Sequence, residues 1–344
     1  MNIRKFKKRI RNLKSPIPTW HRTILSALLI LCIVVIGILS AKDMMTNLLS
    51  SPAPQEEPPP PFPVSIDLIE KSITENPIVE DYFLTQVMGE NIQMPQTSWF
   101  GELIRKFTRL QVTQNLASTL GRIVVVWPGE RSEQIAANFG KALGWSDEEK
   151  RTFRELVMNT EPILTEGKFY PNFYNAPSNA TPEDIATEVI SKFDREVLAR
   201  YTDEVAEKVP LEDALIIASI LEREAYDFTD MREISGIIWN RLFIDMNLQL
   251  DATLQYAKGS SPQGPWWPRI VPRDKYIDSP FNTYKHTGLP PAPISNPSLD
   301  TILAALNPIN TDCIFYFHDR NSRFHCSETY QEHVALIRLH YGTQ

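Results

Sequence analysis

The chain is short of the residues that would announce metal or redox chemistry. It holds 3 cysteines and 6 histidines in 344 residues. His318, His325, His333 and His340 follow no ligand spacing of the HExxH kind, so the sequence signals no metal, and no cofactor is expected. Cys32 falls inside an apolar run, which leaves Cys313 and Cys326 at the two ends of a hairpin-like stretch. Counted back from a turn at Arg320 and Asn321, Cys326 comes opposite Phe315 and out of register with Cys313, so no disulfide is signalled.

Positive charge is scarce once the first residues are passed. Arg4, Lys5, Lys7, Lys8, Arg9, Arg11, Lys14 and Arg22 account for eight of the 35 basic residues, leaving 27 against 42 acidic ones. A body with that balance is a poor polyanion binder, and no nucleic-acid partner is expected. Long apolar runs are missing too, with one exception. Thr23 to Ala41 is uncharged and rich in leucine and β-branched residues, and as a helix it would span roughly 28 Å. We expect a single transmembrane helix at 23–41, retained rather than cleaved, with the basic segment 1–22 in the cytoplasm and the rest on the far side.

Proline, by contrast, is plentiful. Residues 42–63 end in SSPAPQEEPPPPFP, an extended spacer that cannot build a core. Within residues 64–120, SWFGELIRKFTRLQVTQNLASTL has helical spacing, the rest shows no clear period, and the region receives no functional assignment. Arg122 to Trp127 reads as a short buried strand closed by Pro128-Gly129, and Ser132 opens a helix to Leu143 that Gly144 stops. Glu166 to Tyr174 is aromatic and turn-rich, of a kind that can stack on sugar faces, although such clusters more often build cores. Thr181-Pro182 starts an amphipathic helix. Further helices are expected at 233–243, 299–306 and 329–340, with a hairpin before the last.

The stretch that carries chemistry is LEDALIIASILEREA followed by NRLFIDMNLQLD, Leu211 to Asp251. At about 100° per residue, Glu224 shares a stripe with Ile217, Ile220 and Leu221, whereas Glu222 lies on nearly the opposite side. Glu212, Ser219 and Arg223 form a narrow polar strip expected to face water. Glu224 is therefore the better candidate for a desolvated carboxyl, the state a general acid needs near neutral pH. Pairing with Arg223, Arg232 or Arg241 is the alternative use of either glutamate. Beyond the second helix, Leu248 to Thr253 reads as an extended piece that projects Gln249 and Asp251 to one face. Two proline-rich loops follow, one carrying Trp266-Trp267.

The series ASILERE at 218–224, NRL at 240–242, LQLDAT at 248–253, NTY at 282–284, GLPP at 288–291, Asn296-Pro297 and AALNP at 304–308 resembles the MltG or YceG-like family of membrane-anchored endolytic peptidoglycan transglycosylases. Phe281 stands where that family commonly has tyrosine, and Ala292 and Ser298 where it has glycine. The strand–turn–helix after Arg122 resembles the first half of a LysM-type glycan-binding module. The resemblance implies an α+β fold: a LysM-like module at 121–165 and a catalytic domain at 166–344. It implies Glu224 as acid/base in a non-hydrolytic cleavage that leaves 1,6-anhydro ends. Gln249, Asp251, Asn282, Thr283, Tyr284 and Asn296 are candidate substrate contacts, and Glu222 is structural. The partners implied are glycan strands, the membrane and penicillin-binding synthases. A catalytically silent glycan-binding scaffold is the competing reading.

Overall fold

The computed structural model describes residues 59–83, 122–259 and 264–342. The expected transmembrane helix and most of the spacer lie outside these residues, as does much of 64–120. None of the described helices is long and apolar enough to cross a membrane. What is described is mixed α and β, with three separate two-stranded antiparallel sheets among mostly helical layers.

Two hydrophobic cores organise it. In the smaller one, β3 (Arg122–Val126) pairs with β4 (Asn172–Ala176), Val124 opposite Tyr174, and the strands enclose α1 (Ser132–Leu143) and α2 (Asp147–Met158) in sequence. Gly144 takes a left-handed φ of 78° just past α1, a conformation that suits a residue without Cβ. Ser146 and Glu149 cap α2 reciprocally, and Thr181 with Asp184 does the same for α3 (Pro182–Glu196), whose first residue is proline. Phe139, Phe153, Phe169 and Tyr174 are fully enclosed here, and Ile185 and Val189 of α3 join them.

One open alternative is thereby decided, and one feature crosses an expected boundary. The aromatic segment 166–174 is core rather than a sugar platform, with Phe173 alone turned outward. The sheet and its core also run past the expected boundary at residue 165, because among the described residues β3 pairs with β4 alone.

The larger core surrounds α5 (Leu211–Glu224), reached through the short α4 (Asp203–Lys208). Every residue from Ala214 to Leu221 is buried, and each large aliphatic in that run contributes about 1.5–3 kcal/mol of transfer free energy. Against it pack α6 (Phe228–Phe243), α7 (Asp251–Lys258) and α8 (Leu299–Leu306). The expected watery strip on α5 does not exist at Ser219. That residue is fully buried, its hydroxyl donates to the Ile216 carbonyl at 2.7 Å and accepts from Ile294 N–H at 2.9 Å. Helix α5 is thus enclosed on the side where the loop 293–296 crosses it.

Two more readings change. The end of the proline-rich segment and the start of the unassigned region are part of this core: Phe62, Ile66, Ile73, Val79 and Phe83 are all in it. The small hairpin β1 (Ile66–Asp67) with β2 (Ser72–Ile73) is tied to α8 by Ser65, whose N–H bonds the Leu306 carbonyl at 3.0 Å. The second change is at 248–253, where the chain is irregular up to Leu250 and then enters α7 at Asp251. Gln249 takes φ 51°, and this left-handed residue turns the chain so that a helix replaces the expected alternation.

The chain ends in the hairpin β5 (Phe315–His318) and β6 (Phe324–Ser327), covered by α9 (Tyr330–Tyr341). Cys313 and Cys326 form a disulfide. The ladder places Cys326 opposite Tyr316. Cys313 precedes the strand, where the ladder no longer dictates direction, and the chain bends there to bring the two Cα atoms within 5.8 Å. Register counting fails at that point because Cys313 is not in a strand.

Candidate active site

Glu224 is the last residue of α5. It sits between that helix's C-terminal end, which disfavours negative charge, and the N-terminal turn of α7, which favours it. Its Oε1 accepts from the Ala252 N–H at 3.0 Å, and its Oε2 accepts from the Tyr316 hydroxyl at 3.0 Å. Burial pushes its pKa above the ordinary carboxyl value. The two hydrogen bonds and the nearby His318 work against that rise, and the charge of Asp251 adds to it.

The carboxyl opens into a cavity of about 420 Å³. Its lining combines the polar side chains of Gln249, Asp251, Lys275, Tyr284 and Arg241 with aromatic ones of the β5–β6 hairpin and α9. Asp251 accepts from the Tyr284 hydroxyl at 2.7 Å, and Lys275 stands over the Tyr284 ring. Arg241 is buried and donates through Nε to the Ile314 carbonyl at 2.7 Å, and through its guanidinium to Leu248. It therefore fixes the hairpin base to the loop before α7 while lending the cavity positive charge. His318 pairs with buried Asp230 at 2.6 Å, which orients its ring.

The site residues named from the sequence divide into two groups. Glu224, Gln249, Asp251 and Tyr284 line the cavity. Asn282, Thr283 and Asn296 do not, and are fully or almost fully buried. Asn282 spends its amide on the carbonyls of Lys275 and Ile277 and on the Tyr284 N–H. Thr283 Oγ1 accepts from Leu250 N–H and meets Thr253 Oγ1 at 2.9 Å. Asn296 accepts from the N–H groups of Gly167 and Phe169 and donates to the Glu130 carbonyl and Glu166. Their hydrogen bonds go to backbone and to buried side chains of the fold, and none of the three lines the cavity. Asn282 and Thr283 brace the wall, and Asn296 joins the two cores.

Glu222, expected to be structural, accepts from Ser298 N–H, Ser298 Oγ and Thr301 Oγ1 at the start of α8. Ser298, one of the departures from the family pattern, is also the N-cap of that helix. Phe281, another, packs its ring on Tyr256.

The sequence profile of the YceG-like family matches residues 67–338. The chain belongs to the YceG-like family. Two curated relatives are each called endolytic murein transglycosylase. The one from Bacillus subtilis strain 168 is 35% identical over 170 residues, 49% of this chain and 46% of the relative. The one from Streptococcus pneumoniae strain D39 is 29% identical over 180 residues, 52% of this chain and 33% of the relative. The matched part thus spans less than half the length of either. A crystal structure of a putative yceG-like protein from Listeria monocytogenes superposes with a TM-score of 0.55 at 28% identity, over 66% of this chain and 80% of that one.

Within this YceG-like site, sequence reasoning overlooked Tyr316, His318 and Lys275, and named Arg241 only as an alternative partner for the glutamates. For two of them a signal was present: Tyr316 and His318 are two apart in a strand and so share a face. Nothing in the pattern marked Lys275.

Proposed function

We propose that the chain is a peptidoglycan lytic transglycosylase that cuts within glycan strands. One observation carries the reading: a single carboxyl, Glu224, is held at both oxygens, raised in pKa by burial and open to a polar cavity. The names of the curated relatives support it.

In the proposed reaction Glu224, as the acid, donates its proton to the oxygen of the β-1,4 bond between N-acetylmuramic acid and N-acetylglucosamine, and the bond to C1 breaks. The resulting carboxylate takes the proton of the muramic acid C6 hydroxyl as that oxygen closes on C1. No water enters, and the product ends in a 1,6-anhydro ring. The Ala252 amide and Tyr316 hydroxyl steady the carboxylate between the two transfers. Gln249, Asp251 and Tyr284 are the proposed contacts for hydroxyl and acetamido groups.

The hydrolytic alternative needs a second carboxylate about 5–9 Å from the first to act as nucleophile or to activate water. Asp251 is the cavity's other carboxylate, and the Tyr284 hydroxyl engages it. We further propose that residues 23–41 anchor the chain in the cytoplasmic membrane with the body outside. The unit β3–α1–α2–β4 then serves as a LysM-like glycan holder, and the protein works beside penicillin-binding synthases on nascent strands.

The test is mass analysis of products from uncrosslinked nascent glycan with the full chain and with Glu224→Gln. The reading requires anhydro-ended fragments from the first and none from the second. Intact strands from both would leave a binding scaffold.

A further inference from the structure

Asp319, at the tip of the β5–β6 hairpin, His325 on β6 and His340 in the last turn of α9 converge away from the cavity around Glu224. The single oxygen Asp319 Oδ2 faces both rings, at 3.2 Å from His325 Nε2 and 3.7 Å from His340 Nδ1. One ligand atom from each of the three residues lies within 4.8 Å of the others. The sequence separations of 6 and 15 residues resemble no ligand motif, so only the hairpin and the helix covering it create the cluster.

We propose that Asp319, His325 and His340 form a divalent-cation site, with zinc the best fit. Two imidazole nitrogens and a carboxylate oxygen are a zinc ligand set, and at zinc–ligand distances near 2.0–2.1 Å the edges of a tetrahedron measure about 3.4 Å. The two separations at Asp319 bracket that length. An ordinary Asp–His hydrogen bond uses one imidazole; here two ring nitrogens are aimed at one oxygen, with ring centroids 4.1 Å apart.

The carboxylate is also positioned in advance. Its other oxygen accepts the N–H groups of Asn321 at 2.7 Å and Arg323 at 3.1 Å, which leaves Oδ2 as the coordinating atom, the kind of outer support metal ligands normally have. Phe317 stacks on His325 and meets His340 edge-on, giving the rings an apolar floor. Both imidazoles remain partly exposed, so an ion can enter and water can complete the fourth position.

Two ligands belong to the hairpin and one to α9, so the ion fastens the helix to the hairpin. That hairpin carries Tyr316, which donates to Glu224. The site is accordingly structural, and it stands whether or not the proposed reaction is correct.

The experiment is a Co²⁺ titration of the metal-stripped full chain, followed by displacement with Zn²⁺. Wild type is expected to saturate at one equivalent with the visible absorption of four-coordinate cobalt, and Zn²⁺ to raise its thermal midpoint. His325→Ala and His340→Ala lose both effects. His340→Cys keeps saturable binding at one equivalent and adds a thiolate-to-cobalt charge-transfer band that wild type lacks, and His325→Ala in the same chain removes both. Absence of a saturable band in wild type, or binding undiminished in both alanine variants, would overturn the site.

Discussion

Replacing Asn296 with alanine removes four hydrogen bonds at once. Two buried backbone N–H groups, of Gly167 and Phe169, lose their acceptor, and the Glu130 carbonyl and Glu166 lose a donor. A typical internal hydrogen bond is worth about 1 kcal/mol net, and a buried polar group left unpaired costs about 1–3 kcal/mol. Because Asn296 is fully enclosed, little water reaches the vacated partners, and the expected loss is about 3–5 kcal/mol. At about 2–4 °C per kcal/mol the thermal midpoint falls by roughly 10 °C. Asn296→Asp keeps the two acceptor roles but sets a second carboxyl against Glu166, so it is expected to be no milder. The assay is urea unfolding of the full chain alongside glycan cleavage per folded molecule at low temperature. A loss below about 1 kcal/mol, or a folded variant without activity, would refute the scaffold role and return Asn296 to the substrate.

Three further outcomes are expected. In Tyr316→Phe, Glu224 loses a bond that favours its ionised form, so its pKa rises further. An acid catalyst works below its pKa, so the alkaline limb of the cleavage profile should move to higher pH; an unmoved limb would separate Tyr316 from the chemistry. Glu166 is fully buried, and desolvation pushes its pKa from 4.5 up to about 8. The folded state then holds a proton the unfolded state releases. This stability is complete below about pH 4.5 and is lost as pH rises towards 8, by up to about 4–5 kcal/mol. Glu166→Gln should flatten that slope in pH-dependent unfolding. Replacing Cys313 and Cys326 with serine opens a loop of 13 residues and should cost about 3 kcal/mol in denaturant unfolding.

Much of the helical framework was legible because strong local signals fixed it. Pro182 after Thr181, Gly144 after Leu143 and the apolar run from Ala214 to Leu221 each act within a turn or two of chain. The uneven placing of Glu222 and Glu224 was readable for the same reason. One now anchors the start of α8 and the other opens to the cavity. What failed was long-range. Ser219 looks solvent-facing until the loop at 293–296 lies over it. The motif residues Asn282, Thr283 and Asn296 have the polar groups of sugar contacts, and only the fold reveals their buried partners in backbone, Thr253 and Glu166. Gln249 turns left-handed where alternation implied a strand, and Cys313 sits outside the ladder used to judge its register. The histidines His325 and His340 meet only because α9 folds back over the hairpin.

Reaction in ¹⁸O-labelled water decides whether Glu224 cleaves the glycan without water. Nascent strands are digested to completion by the full chain and the new ends weighed. Non-hydrolytic cleavage by Glu224 is expected to leave 1,6-anhydro ends carrying no ¹⁸O. Reducing ends that carry one ¹⁸O atom each would contradict it and make Asp251 the residue to explain.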